Sequence, residues 1–209
     1  MRPAAGSPVV PDVIRECLTI AAGTAFRALS DILGETIVRV EAPFLVLDSR
    51  LETLRTLGGA GAEVPAVALR LRTAPPRDDT ALSGSLLWLF AFREARRLLD
   101  LLGLSKEPGA LRRSALLELA TILSGHFVRA LYELSGVEIR ITPPEYRVDM
   151  AGSLVASFLA LAQQQGDGDG QDIAAVIFRT ELGKVRGLLL WVPEVSAVQM
   201  VFKRLEAEL

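Results

Sequence analysis

The chain has one cysteine, Cys17, and one histidine, His126. A lone thiol cannot form an intrachain disulfide, and one cysteine with one histidine falls short of the four ligands of a structural zinc site. Such thiol economy fits a reducing compartment, so a cytoplasmic location is expected. Basic charge is not in excess. Lys and Arg number 23 against 25 Asp and Glu, for a net charge of −2. That balance excludes the cationic face that displaces counterions from nucleic acid. No run approaches the roughly 20 apolar residues that span a bilayer, and the greasiest stretch, 86–92, has strand length. The opening MRPAAGSPVVPD has no apolar h-region, so no signal peptide is expected. No glycine-rich loop carries the lysine and hydroxyl of a P-loop. The Gly-Asp run at 166–170 places Asp172 where a calcium loop needs glycine and Phe178 where it needs glutamate, so it reads as a linker. A single histidine without a nucleophile motif suggests no hydrolytic triad.

What the chain does have is a repeat. Shifted by 102 residues, RECLTIAAGTAFRALSDILGETI meets LELATILSGHFVRALYELSGVEI. Glu16 falls on Glu118, Thr19 on Thr121, Ile20 on Ile122, Gly23 on Gly125, Arg27 on Arg129 and Gly34 on Gly136. At a shift of 103, GSLLW falls on GLLLW, and these hold the two tryptophans, Trp88 and Trp191. Two matches in the same order, one residue apart in register, point to internal duplication.

Each half reads alike. Ile14, Leu18, Ala21, Ala25, Leu29 and Ile32 recur at helical spacing, and Gly34 stands where a helix would end. The copy runs over about 114–136. In the first half, strands are expected at 36–40, 44–47, 66–72 and 84–90, with a short helix at 51–57 and a closing helix at 93–102. Second-half strands are expected at 138–142, 146–150, 173–180 and 185–192, with a closing helix at 195–207. Pro75-Pro76 reads as a turn. The fold class is α+β: one largely antiparallel sheet with helices segregated on it. Residues 1–11 read as a flexible lead with Pro8 and Pro11 as breakers. Residues 12–209 read as one pseudo-two-fold domain, with repeats at about 12–104 and 112–209.

Residues stepping by three or four share a helix face. Glu16, Thr19, Gly23 and Arg27 therefore form a ridge, repeated as Glu118, Thr121, Gly125 and Arg129. A glycine inside a helix costs about 1 kcal/mol relative to alanine, and both copies have one at the same place. Close approach of another backbone is the expected reason. The bland reading of the charges is a solvated helix face.

At these residues the chain resembles the CheC family of chemotaxis response-regulator phosphatases, with the related CheX and FliY proteins. The family helix carries Glu-x-x-Asn, then an Ala-Gly pair and an Ala-Leu pair. The matching segments here are ECLTIAAGTAFRAL and ELATILSGHFVRAL, with LSGVEI, PPEYRVDMAG and GLLLWVPE further along. The resemblance implies a duplicated domain with both long signature helices on one side of the sheet. It implies a CheY-type receiver as partner, with CheD also among the family's partners. The chain itself would hold no cofactor, because Mg2+ would come with the receiver.

In the family, the glutamate pairs with a lysine beside the receiver's aspartyl phosphate, and the asparagine positions the attacking water. By resemblance, Glu16 and Glu118 keep the glutamate, while Thr19 and Thr121 replace both asparagines. A threonine is about one bond shorter than asparagine, stiff at χ1, and prone to bond back to its own helix. Phosphoryl transfer depends mainly on positioning. The expectation is therefore a receiver-binding protein with weak or lost phosphatase activity. Arg27 and Arg129, about 16 Å along the helix from the glutamates at 1.5 Å per residue, would meet acidic groups on the partner. The alternatives are an active phosphatase and a non-catalytic switch component like FliM. The run Gly58-Gly59-Ala60-Gly61 bears a faint likeness to FliM's glycine-rich binding loop, and otherwise reads as a turn before a strand.

Overall fold

A computed structural model describes residues 9–34, 39–40, 44–45, 54–55, 57–73, 84–163, 174–179 and 186–193. Its helices are α1 (Val9–Leu33), α2 (Phe92–Leu101), α3 (Gly109–Ser135) and α4 (Ala151–Gln163). Its strands are β1 (Arg39–Val40), β2 (Phe44–Leu45), β3 (Glu63–Thr73), β4 (Gly84–Phe90), β5 (Ile139–Ile141), β6 (Glu145–Met150), β7 (Ala174–Arg179) and β8 (Arg186–Pro193). The expected Pro75-Pro76 turn, the 166–170 linker and the 195–207 helix lie outside the described residues.

The strands form one sheet in the order β1-β7-β8-β4-β3-β5, with β2 also on β7 and β6 also on β3. Every pairing is antiparallel. At its centre β4 lies against β8, and Leu87 sits opposite Leu190. Those two leucines are also matched by the 103-residue shift. The chain crosses over on both flanks. β1 and β2, from the first half, pair with β7, whereas β5 and β6, from the second half, pair with β3.

Alternation along the central strands feeds two cores, because successive side chains leave a strand on opposite faces. Val67, Leu69, Leu71, Leu86, Trp88, Phe90, Leu189 and Trp191 face α1, α2 and α3. Ala66, Leu87, Leu89, Leu188, Leu190 and Val192 face α4. Covered on both sides, β4 and β8 are apolar at nearly every position, which is why they read from sequence as buried strands. Each fully buried leucine contributes roughly 1.5–3 kcal/mol.

α1 and α3 pack against each other on one face of the sheet, as the resemblance implied. α1 opens at Val9 and takes in Pro11, earlier than the lead expected over 1–11. A proline in the first turn loses no hydrogen bond, because those N–H groups have no intrahelical partner. Gly34 and Gly136 adopt left-handed φ values of 62° and 63°, the αL geometry suited to ending a helix. α3 is long and apolar enough to cross a membrane, yet half of its most apolar window is buried inside the fold.

α4 did not emerge from the sequence reading. It lies on the opposite face, in the same core as Leu54 and Leu57 of the expected 51–57 helix. The glycine turn at 58–61 holds its start. Gly152 N–H donates to Ala60 O at 2.9 Å and Ala151 N–H to Ala62 O at 2.8 Å. A Cβ on Gly152 would lie 3.1 Å from both Ala60 Cβ and Ala60 O, so a side chain there would push Ala60 back by a few tenths of an ångström.

Candidate functional site

The ridge residues come together as the spacing predicted. On α1, Cys17, Leu18, Ala21, Ala22, Ala25 and Phe26 are buried, so the helix is anchored by one face. Glu16, Thr19 and Arg27 stand exposed on the other, with Gly23 half-buried. On α3, Leu119, Ala120, Leu123, Ser124 and Phe127 are buried. Glu118, Gly125 and Arg129 are exposed, and Thr121 is half-buried.

Both threonines are turned back on their own helix. Thr19 Oγ1 donates to Arg15 O at 2.7 Å, and Thr121 Oγ1 donates to Leu117 O at 2.7 Å. A hydroxyl has one proton to give, so each retains only its acceptor lone pairs toward solvent. Each site thus offers a carboxylate and a hydroxyl oxygen, both acceptors, one helical turn apart. Such a pair can receive a cation or a water's protons. It has no donor left to hold a water's oxygen.

Two expectations change. A Cβ built on Gly23 or Gly125 meets nothing within 4 Å, so among the described residues no backbone approaches either glycine. Among the described residues nothing packs against them to offset their cost. Arg129 is also engaged: its Nε donates to Glu133 Oε1 at 3.0 Å, between side chains 73% and 59% exposed. An exposed pair of this kind contributes about 0.3–0.5 kcal/mol, so Arg129 remains available to a partner at small cost.

The sequence reading overlooked an apolar element of the ridge. Ile20 is 41% exposed and Ile122 is 40% exposed, each next to its threonine. The repeat alignment matches the two isoleucines, and their near-equal exposure places both on the ridge. Beneath the ridge, burial and the neighbouring Glu16 carboxylate push the Cys17 thiol up to about 11. Cys17 is therefore a neutral core residue and no nucleophile.

Residues 111–146, covering the α3 ridge, match the CheC-like family. The chain is 25% identical over 207 residues to the CheY-P phosphatase CheC of Bacillus subtilis (strain 168), covering 95% of this chain and 94% of that one. Over residues 111–146 the chain is similar to the CheC-like family. Among solved structures, Thermotoga maritima FliY matches with a TM-score of 0.65 at 21% identity, covering 96% of this chain and 97% of FliY. CheX from Borrelia burgdorferi, solved as a CheX-CheY-BeF3-Mg+2 complex, matches with a TM-score of 0.54 at 19% identity, over 88% of this chain and 99% of that one. These two likenesses establish the shared fold.

Proposed function

We propose that this CheC-like chain works in chemotaxis or motility signalling. It docks on a phosphorylated CheY-type receiver through the exposed ridges of α1 and α3, and it hydrolyses the aspartyl phosphate slowly or not at all. The observation that carries the reading is the state of Thr19 and Thr121. Both stand at the family's water-positioning place, and both hydroxyls donate to backbone carbonyls at 2.7 Å. A misplacement on the order of 1 Å can cost about 100-fold in rate.

Docking is supported from three sides. Glu16 and Glu118 are exposed at the positions where the family pairs a glutamate with the receiver's lysine. A relative of nearly equal length is named for activity on CheY-P. A structural neighbour was solved bound to CheY. The Glu, Thr, Ile and Gly positions recur on two helices, so the two halves read as copies, each with one docking ridge, within a domain over residues 12–209. On this reading the chain acts in the cytoplasm, needs no cofactor of its own, and meets Mg2+ on the receiver. A CheD-type protein is a further candidate partner. The FliM-like alternative is weakened because the glycine turn at 58–61 is occupied in holding α4.

Titration calorimetry with the cognate receiver, with and without beryllium trifluoride and Mg2+, tests the docking. The expected result is tighter binding of the fluoride-loaded receiver, lost in a chain carrying Glu16→Ala with Glu118→Ala. Equal affinity for both receiver forms, or no binding of either, overturns the proposal.

A further inference from the structure

On α3 the ridge continues into a depression. An open groove of about 590 Å³ runs between the outer face of α3 and β5, the last strand in the sheet order. Gly125 lines it, and a side chain there would enter empty space. Val128 and Ile139 lie buried at its base, and Tyr132, 50% exposed, stands at its side. The charged residues around it pair with one another at the exposed rim. Arg129 is tied to Glu133 at 3.0 Å, and Arg140 to Glu138 at 3.4 Å. Its buried floor and the Tyr132 ring offer an apolar side chain area to remove from water.

The groove lies within the span of a partner seated at Glu118. Gly125 is seven residues along the helix and Tyr132 fourteen, so about 10 Å and 21 Å away at 1.5 Å per residue. A compact domain of about 100 residues has a radius of gyration near 13 Å, hence a width of about 30 Å. A receiver with its phosphoryl site at Glu118 therefore reaches over the groove. Ile122 bridges the two as a further exposed apolar contact.

We infer that the Gly125 groove is a second contact for the same receiver, taking one of its apolar side chains, and that this contact acts regardless of phosphorylation. The inference rests on the docking reading above. It also explains why an open helix glycine stands here, since the space beside it is filled only in the complex. Phosphorylation does not govern the contact because it is uncharged and lies beyond the screening length of about 8 Å from the phosphoryl end.

The test uses the full chain carrying Ile20→Glu, which blocks the α1 ridge and leaves α3 to report. Gly125→Leu fills the groove. It replaces a helix glycine by a better helix former with no clashing neighbour, so the melting temperature should hold or rise. Receiver affinity is measured with and without beryllium trifluoride. Gly125→Leu should weaken both forms by the same factor, about tenfold or more for a lost apolar contact. Glu118→Ala should weaken the fluoride-loaded form selectively. If Gly125→Leu binds like its parent while Glu118→Ala does not, the groove is overturned and the ridge reading stands. If Gly125→Leu affects only the fluoride-loaded form, the contact belongs to the phosphoryl site and the inference is wrong. If the wild-type chain binds neither form, both readings fall together.

Discussion

Trp88 Nε1 donates to Ser124 Oγ at 2.9 Å, entirely inside the core, joining the central strand β4 to α3. Its matched residue, Trp191, is equally buried, but its Nε1 has no hydrogen-bond partner among the described residues. Both indoles also meet a phenylalanine edge-on, Trp88 with Phe26 and Trp191 with Phe127. The difference between the halves is a hydroxyl. The position matching Ser124 at a shift of 102 is Ala22.

Two substitutions follow from that asymmetry. Ser124→Ala removes the acceptor of a buried indole and should destabilise the protein by about 1–3 kcal/mol. Ala22→Ser offers Trp191 the acceptor it lacks and should stabilise by about 0.5–1 kcal/mol after the small helix-propensity loss. Urea unfolding followed by tryptophan fluorescence measures both. A destabilising Ala22→Ser would mean that position 22 does not face the Trp191 indole.

Gly23→Ala and Gly125→Ala should each stabilise the chain by about 0.4–1 kcal/mol, because open space receives the new methyl and the helix gains propensity. Thermal melts decide the matter. Destabilisation in either variant would restore the close-approach explanation that the structure sets aside.

Cys17 makes alkaline stability fall. Its thiol is held up to about 11 in the fold against an ordinary 9.0. Above pH 9 the unfolded chain releases this proton while the folded chain keeps it, so stability is full below pH 9 and is lost as pH rises toward 11. The loss is on the order of 2–3 kcal/mol by pH 11. Denaturant midpoints across that range should decline in the wild type and decline less in Cys17→Ala. Parallel profiles would contradict the assignment.

Much of the fold was legible because its signals were local and periodic. The 84–90 strand emerged with its observed bounds, since a run buried on both faces must be apolar throughout. The Glu16 and Glu118 ridges followed from helical spacing together with the repeat, and the roles expected of them came from the resemblance. Strand partners were not legible: nothing local says that β1 should leave its own half for β7. α4 was missed because AGSLVASFLALAQ is apolar around much of its surface and carries no charged face to show its period. The groove beside Gly125 is formed by α3 and β5 together, so neither segment reveals it alone.

The most direct test of the account is the decay of aspartyl phosphate on the cognate receiver. The rate is compared with no added chain, with the wild type, with Thr19→Asn plus Thr121→Asn, and with Glu16→Ala plus Glu118→Ala. The account predicts decay near the receiver's own rate with the wild type, and faster decay with the asparagine variant by up to about 100-fold, the scale of a positioning error on the order of 1 Å. A wild type that strongly accelerates decay, with the gain abolished by the glutamate changes, would contradict it and make this chain a working phosphatase.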